Sequence, residues 1–379
     1  MKSRLPPLSL YIHIPWCIQK CPYCDFNSHA VKSELPESAY ITALLDDLAT
    51  EIAHFQITRP IESIFIGGGT PSLFSAASIY RLLSEISKLI VIKPEAEITL
   101  EANPNSVESE KFKAFREAGV NRLSIGIQSF NEAHLKKLGR VHTMTEAINA
   151  AEIAHLSGFD NFNLDLMFGL PQQTSEQAVA DVQRAIDLNP THLSLYQLTL
   201  EPNTYFHRFP PKLPKDSSIV TMQENCQHLL REQMFEQYEV SAYSKKGSQC
   251  QHNLNYWKFG DYIGIGAGAH GKISQCLPNK IYRTLKPKNP HDYLEKTKKT
   301  SKRIAVKEIP LEFMMNQLRL KQGFSLEHYQ KTTQLSKMTL EPALTNSLAQ
   351  KLLYEHEKNY FCTEKGWDFM DTLLEKFIS

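Results

Sequence analysis

The sequence predicts an α/β protein, built as a partial, open-sided (β/α)6 barrel that is followed by a small C-terminal helical domain. Over the first two hundred residues, short apolar segments alternate with amphipathic helical segments. The apolar segments are almost continuous in Ile, Leu, Val and Phe, which is typical of parallel strands that are buried on both faces. Six such units follow one another, whereas eight would close a full barrel.

The predicted elements follow in order along the chain, with prolines in the connections. The six strands are expected at residues 8–14, 61–66, 97–101, 122–128, 163–168 and 192–200. The helices between them show an apolar stripe with a period of 3.6 residues. They are expected at residues 38–55, 75–90, 106–118, 143–156 and 174–188.

Three regions are predicted. Residues 1–215 form the barrel, and 216–304 form an extension with a helix at 217–236, a strand at 239–242 and a glycine-rich loop at 260–271. Residues 305–379 resemble a winged helix, with helices at 310–322, 325–331, 341–356 and 366–377 and a short strand at 360–363. Because this region lacks a basic recognition helix, we expect it to pack or to bind a partner rather than to bind DNA.

Composition excludes several classes of protein. The 379 residues are 42% hydrophobic and 22% charged, and the net charge of +1 argues against a nucleic-acid binder. No apolar run reaches the roughly 18 residues that a transmembrane helix needs. The N-terminus shows no secretory signal. We therefore expect a cytoplasmic protein.

Three of the seven cysteines, Cys17, Cys21 and Cys24, lie within eight residues directly after the first predicted strand. In a reducing compartment, such clustering favours a metal or catalytic site over disulfides. Thiolates suit an iron–sulfur cluster or zinc. A closed zinc site would need a fourth ligand, for which His13 or His29 is available. A [4Fe–4S] cluster on three cysteines leaves one iron open to the amino and carboxylate groups of a small molecule such as S-adenosylmethionine.

The cysteine spacing C-x3-C-x2-C is the motif of the radical SAM superfamily, and the GGGTP at 67–71 follows the second strand as it does in that superfamily. Over essentially its whole length the chain resembles the oxygen-independent coproporphyrinogen III oxidase-like family, and most of all its haem-chaperone branch. The segments that carry this resemblance are YIHIPWC, CPYCDF, GGGTP, EANP, GIQSF, DLMFGLP and GIGAGAHG. It implies a radical SAM barrel with a [4Fe–4S] cluster on the three cysteines and bound S-adenosylmethionine.

The resemblance also implies which residues bind S-adenosylmethionine. They are Tyr11, Tyr23, Gly68, Gly69, Thr70, Glu101, Gln128, Arg140 and Asp165. Glycine lets the backbone approach a ligand closely, and a carboxylate accepts hydrogen bonds from a ribose or an amino group. In the related oxidase, the positions of Gln128, Arg140 and Asp165 reach a second S-adenosylmethionine. Structural roles stay open for Tyr11 at an interface, Glu101 as a cap and Arg140 in an ion pair.

Two departures separate the chain from the oxidase. Phe26 stands where the oxidase has a fourth cysteine, and the oxidase has a longer N-terminal extension. The HNLNYW at 252–257 instead matches the HNxxYW pattern of the haem-chaperone branch. His252 could ligate haem iron, and Tyr256 and Trp257 offer flat apolar surface. The alternative is a structural histidine with an aromatic pair. His270 and Cys250 are further candidates for the haem ligand.

We therefore expect a haem chaperone that binds haem and transfers it to an unidentified acceptor protein. The cluster and S-adenosylmethionine would regulate haem transfer or the formation of a homodimer. The alternative is a radical SAM oxidase that decarboxylates coproporphyrinogen III to protoporphyrinogen IX. The sequence favours the chaperone over the oxidase and leaves open whether S-adenosylmethionine is cleaved.

Overall fold

The computed structural model describes residues 5–32, 34–275, 280–295 and 300–378. In these ranges no helix has both the length and the hydrophobicity that crossing a lipid bilayer requires.

The main sheet of the described chain has twelve strands, and seven neighbouring strands in its centre are parallel. The strands up to residue 303 are β1 (Leu8–Ile14), β2 (Trp16–Cys17), β3 (His29–Ala30), β4 (Ile61–Gly68), β5 (Ile92–Ala102), β6 (Arg122–Gln128), β7 (Phe162–Phe168), β8 (His192–Gln197), β9 (Glu236–Glu239), β10 (Ala242–Ser244), β11 (Asp261–Ile265), β12 (His270–Ser274), β13 (Ile281–Leu285) and β14 (Thr300–Arg303). The spatial order is β14-β13-β12-β11-β1-β4-β5-β6-β7-β8-β10-β9, while β2 and β3 form a separate pair.

Helices cover the outside of this sheet and line its connections. They are α1 (Glu37–Phe55), α2 (Ala76–Leu89), α3 (Ser106–Ser109), α4 (Phe112–Glu117), α5 (Glu132–Lys137), α6 (Met144–Leu156), α7 (Ser175–Asp187), α8 (Tyr205–Arg208), α9 (Asp216–Glu232), α10 (Gln251–Trp257) and α11 (Pro290–Leu294). Capping boxes fix the starts of two of them, with Thr143 and Glu146 at α6 and Thr174 and Gln177 at α7.

The first strand shows how the sheet separates a packed outer face from a polar interior. Leu8, Leu10, Ile12 and Ile14 are fully buried in the main hydrophobic core. The alternate residues of β1 point to the opposite face because side chains alternate along a strand. The side chains of Ser9, Tyr11 and His13 therefore face the polar interior of the barrel.

The six predicted strands are all present, as β1, β4, β5, β6, β7 and β8. The prediction of a loop over 260–271 is wrong, because β11 and the start of β12 lie there and β11 pairs with β1 in parallel. Glycine suggested a loop, but a Cβ on Gly264 would lie 1.9 Å from the backbone oxygen of His270. Glycine is needed here for close strand packing. The strand predicted at 239–242 is also wrong, because β9 ends at Glu239, the chain turns, and β10 begins at Ala242 opposite it.

The C-terminal region has its own hydrophobic core, with Phe313 in ring contact with Phe259, Phe324 and Tyr329. Its elements are α12 (Ile309–Gln317), β15 (Phe324–Ser325), α13 (Leu326–Thr333), α14 (Ala343–Ala349), β16 (Leu353–His356), β17 (Asn359–Cys362), α15 (Glu364–Asp368) and α16 (Met370–Glu375). Helices α12, α13 and α14 and the small sheet β15-β17-β16 agree with the expected winged-helix arrangement, and α15 and α16 follow them. The single helix predicted at 341–356 is wrong, because Lys351 has a φ of 55° and the chain continues into β16.

Candidate functional site

The three cysteines lie on a loop that follows β1, at the carboxyl ends of the parallel strands. The short strands β2 and β3 pair at its base, where Cys17 lies opposite Ala30. Within the loop, the backbone N–H of Cys24 donates to the carbonyl of Cys21 at 3.2 Å. All three thiols are partly exposed. They therefore face the end of the barrel at which such folds place their chemistry.

Each of these sulfur atoms has a polar neighbour. The Thr70 hydroxyl donates to Cys17 Sγ at 3.5 Å, and Arg140 Nη1 donates to Cys21 Sγ at 3.7 Å. Cys24 Sγ lies 3.8 Å from a hydroxyl, that of Ser28. Burial raises the pKa of the Cys17 and Cys24 thiols. Metal binding has to displace the thiol protons, so the donor groups around the sulfurs favour the bound thiolate form.

This donor set fits a [4Fe–4S] cluster better than a single ion. Within the described ranges, no three His, Cys, Asp or Glu side chains converge on one point as a single metal ion would require. A cluster takes each thiolate on a different iron. His13 also has both ring nitrogens engaged, with the Tyr11 hydroxyl and the Asn27 carbonyl at 2.9 Å each. It is therefore not free to complete a zinc site.

The glycine segment at the end of β4 packs directly against the cysteine loop. Gly69 N–H donates to the Ile14 carbonyl at 2.8 Å, and Thr70 N–H donates to the Trp16 carbonyl at 2.7 Å. A Cβ on Gly69 would lie 2.5 Å from that Trp16 oxygen, and one on Gly68 would lie 2.6 Å from the His13 ring. The glycines are therefore required for contact with the loop, in addition to the predicted approach of a ligand.

Glu101 and Asp165 place two carboxyl groups inside the barrel. Glu101 Oε2 accepts a hydrogen bond from Gly68 N–H at 3.0 Å. Burial, helped by the nearby Asp165 carboxylate, raises the pKa of Glu101 to about 8. Burial also raises the pKa of Asp165, which accepts from Ser124 at 3.2 Å and from Asn163 at 2.8 Å. Both carboxyls can accept hydrogen bonds from ribose hydroxyls or an ammonium group.

Two other predicted residues, Gln128 and Arg140, lie next to Gly126 of β6. Gln128, with a φ of 70°, ends β6, and its amide lies over Gly126. Arg140 Nη2 donates to the Gly126 carbonyl at 2.7 Å. Tyr23 forms side-chain hydrogen bonds with Cys21 and Arg140. Its ring also packs against a satellite apolar cluster of Leu138, Met167, Leu170, Leu198 and Phe206. The structure brings Tyr11, Gly68, Glu101 and Asp165 together in the interior and Arg140 beside the cysteines.

The HNLNYW segment forms helix α10, which packs against β4 and β1. His252 is only 5% exposed, and its Nδ1 lies 3.3 Å from the Ser63 hydroxyl. The centre of its ring is 5.2 Å from that of Phe65 and 6.4 Å from that of Tyr11. Burial lowers the pKa of His252 to about 3. The imidazole is thus neutral, as an iron ligand must be, but it faces the barrel interior beside Tyr11.

The rest of the motif is more accessible and partly structural. Tyr256 accepts a hydrogen bond from the Tyr262 hydroxyl at 3.0 Å, and the Arg319 guanidinium lies 4.4 Å from the ring centre of Trp257. Both motif aromatics are half-buried. Asn255 Nδ2 donates to Ser9 Oγ at 2.8 Å and fastens the helix to β1. The structural reading of this segment and the haem-binding reading are therefore compatible.

The other two candidate haem ligands differ in access. His270 is exposed at the start of β12. Cys250 is buried, and its Sγ–H donates to Glu97 Oε1 at 3.4 Å.

Asn103 is a site residue that the sequence analysis did not single out, although it stands in the quoted EANP segment. Its side chain lies between Arg140 and Thr70, the two residues that donate to cysteine sulfurs. The sequence did offer one signal for Asn103, since it is a polar residue directly after a barrel strand.

Comparison with known proteins shows to which family the chain belongs. Residues 11–185 match the radical SAM superfamily, and residues 304–369 match the HemN C-terminal domain. The chain is 49% identical to the haem chaperone HemW of Haemophilus influenzae and 48% identical to that of Escherichia coli, over 99% of each chain in both cases. The chain belongs to the HemW family. The cofactors of this family, as radical SAM proteins, are a [4Fe–4S] cluster and S-adenosylmethionine.

The HemW family shares its fold with a solved enzyme. Coproporphyrinogen III oxidase, HemN, from Escherichia coli superposes with a TM-score of 0.81 over 99% of this chain and 91% of that one. The two sequences are 20% identical, so this likeness concerns the fold alone. It confirms the predicted radical SAM barrel with its C-terminal domain.

Proposed function

We propose that this protein is a haem chaperone, which binds haem and transfers it to an acceptor protein. The observation that carries the proposal is the full-length identity of 49% to a haem chaperone. The neutral His252 imidazole and the half-buried aromatic rings of the same helix are suitable partners for a metalloporphyrin. Because His252 faces the interior, ligation by it requires a porphyrin to enter the barrel or α10 to move outward.

We assign the cluster to Cys17, Cys21 and Cys24 and the binding of S-adenosylmethionine to the interior residues around Glu101 and Gly68. When bound, the cluster would be able to supply one electron to S-adenosylmethionine. The chain contributes sulfur ligands, donors to two of these sulfurs and carboxyl groups that orient the ligand. In this proposal the cofactors regulate haem transfer or dimerisation, and the protein works in the cytoplasm, where its free thiols stay reduced.

Phe26 favours the chaperone over the oxidase. It stands where the oxidase has a fourth cysteine, and its side chain is 60% exposed beside the cluster loop. A phenyl ring cannot replace a thiol in redox or radical chemistry. We therefore expect no oxidase activity.

The deciding experiment titrates haem into anaerobically reconstituted protein and follows the Soret band. We expect one tightly bound haem per chain, and weaker binding with an altered Soret band in His252→Ala. His270→Ala tests the exposed candidate ligand, and His228→Ala, on the surface of α9, is the matched control. Both should bind haem as the wild-type protein does. Absence of stoichiometric haem binding to the wild-type protein would contradict the proposal.

The same preparation tests the alternative function. Coproporphyrinogen III, S-adenosylmethionine and a reductant are added under anaerobic conditions, and porphyrins are analysed after oxidation. We expect no protoporphyrinogen IX. Its formation in catalytic amounts would identify an oxidase instead.

A further inference from the structure

Asn103 links two of the cluster cysteines through hydrogen bonds. Arg140 Nη1 donates to Cys21 Sγ at 3.7 Å, and Nη2 of the same side chain donates to Asn103 Oδ1 at 2.7 Å. Asn103 Nδ2 then donates to Thr70 Oγ1 at 2.9 Å, and the Thr70 hydroxyl donates to Cys17 Sγ at 3.5 Å. The side chains of Thr70, Asn103 and Arg140 therefore form a continuous hydrogen-bonded path between two sulfur atoms.

The donor and acceptor groups of these side chains fix the direction of each hydrogen bond in the path. A guanidinium group only donates, so the amide oxygen of Asn103 must face Arg140 and its NH2 group must face Thr70. The Thr70 oxygen accepts that N–H, and a hydroxyl has one proton to give. The proton therefore points at Cys17, and the orientation of the Asn103 amide decides where it points.

The backbone of Asn103 and the Arg140 side chain are held in place by further contacts. The backbone N–H of Asn103 donates to Glu108 Oε2 at 3.1 Å, and Glu108 Oε1 accepts from the Asn105 side chain at 2.5 Å. Arg140 is fixed by a second hydrogen bond from Nη2, to the Gly126 carbonyl at 2.7 Å. The donors are thus directed at the sulfur atoms by the protein itself.

We propose that Asn103 is a positioning residue that directs the Thr70 hydroxyl and the Arg140 guanidinium at Cys17 and Cys21 and thereby raises the reduction potential of the cluster. Hydrogen bonds to cysteine sulfur withdraw charge from the thiolate, which favours the reduced cluster. The proposal concerns the cofactor of the superfamily and does not depend on haem transport.

The test replaces Asn103 with aspartate, which has the same shape but no N–H to donate. The Thr70 hydroxyl then turns its proton to the carboxylate, and Cys17 loses its donor. We expect the midpoint potential of the haem-free, reconstituted cluster to fall in an EPR-monitored titration, with unchanged iron content. Asn131→Asp is the matched control, because Asn131 caps α5 with an acceptor oxygen that aspartate retains. Its potential should equal that of the wild type.

A double-mutant cycle separates this effect from the added charge. Thr70→Val removes the donor to Cys17 directly and should also lower the potential. In the Thr70→Val background the aspartate has no hydroxyl to redirect, so the two shifts should sum to more than the shift of the double variant.

Two outcomes would overturn the proposal: a wild-type potential in Asn103→Asp, or shifts that add fully. Should Asn103→Asp lose iron, Asn103→Ala takes its place without an added charge. The potential should again fall, and an unchanged potential would equally refute the role of Asn103. Because these titrations contain no haem, their failure would leave the proposed chaperone function untouched.

Discussion

At the scale of the residue, Glu101 is a carboxyl group inside the barrel whose surroundings shift its pKa. Burial and the neighbouring Asp165 raise the pKa of its carboxyl group to about 8, although Gly68 N–H donates to it. In the ligand-free protein the group is therefore largely protonated at neutral pH. An ammonium group bound next to it would favour its ionisation, since an opposite charge nearby lowers a carboxyl pKa.

Glu101→Gln should change how stability depends on pH. The pKa of Glu101 in the folded state, about 8, lies above the ordinary value of 4.5. Between these pH values the folded chain binds a proton that the unfolded chain releases, so the wild-type free energy of unfolding falls as pH rises. Glutamine has no proton to lose. We expect urea denaturation of the cluster-free protein to show little difference at pH 5 and a stabilised variant at pH 8.

The size of that difference is a few kcal/mol at most, because the Glu101 side chain is half-buried and keeps some access to water. Glu85→Gln is the control, since Glu85 forms an exposed pair with Lys88 and should show no such pH dependence. A difference between Glu101→Gln and the wild type that is equal at pH 5 and pH 8 would refute the raised pKa.

At the scale of the element, a buried carboxylate, that of Glu97, holds the start of helix α10. Glu97 Oε1 accepts from the backbone N–H of His252 at 3.2 Å and from Cys250 Sγ at 3.4 Å. Its other oxygen lies 3.8 Å from Arg122 Nε, and both side chains are buried. A strand of the barrel thus anchors the helix that carries the candidate haem ligands.

Glu97→Ala should destabilise the protein by about 3–5 kcal/mol, because it removes one of the two carboxylates that interact with the buried Arg122 guanidinium, the other being Asp165. Urea denaturation at pH 7 measures the free energy of unfolding. Glu62→Ala is the matched control: Glu62 pairs with Lys93 on the surface, and its loss should cost less than about 1 kcal/mol. Equal effects of the two substitutions would show that Glu97 is not an anchor.

The elements that the sequence predicts well are those whose signal is local. The central strands are continuously apolar, and helix starts such as Thr143 carry a capping box. Strand β11 was not predictable in this way, because its one glycine, Gly264, is explained by close contact with His270 across the sheet. The break after α14 depends in the same way on pairing of β16 with β17.

In the candidate site, too, the features with a local signal were predictable and the contacts between distant residues were not. Motifs identify the cysteines and the glycine segment as neighbours at strand ends, and the structure gives both the expected location. The link through Asn103 joins it to Thr70 and Arg140, which are 33 and 37 residues away. No spacing in one sequence reveals such a contact. The inward direction of His252 likewise depends on how α10 packs on β4.

At the scale of the whole molecule, strands from residues 216–304 extend the barrel sheet beyond both β1 and β8. Strand β11 adds to the free edge of β1, and Asp261 of that strand forms buried ion pairs with Lys272 and Arg59. Lys286 directly follows β13 and is fully buried, and its ammonium group contacts helix α1. Its Nζ lies 2.9 Å from Asp47 Oδ1 and 2.6 Å from Glu51 Oε1.

Lys286→Met should therefore destabilise the barrel and its extension together. Methionine fills the space but removes the ammonium group that contacts both buried carboxylates, at a cost of about 3–5 kcal/mol. We expect one cooperative urea transition at a lower midpoint, with fluorescence and circular dichroism coinciding. Lys288→Met, two residues along and exposed, is the matched control and should unfold like the wild type. An early separate transition in Lys286→Met would instead mean that residues 216–304 unfold independently of the barrel.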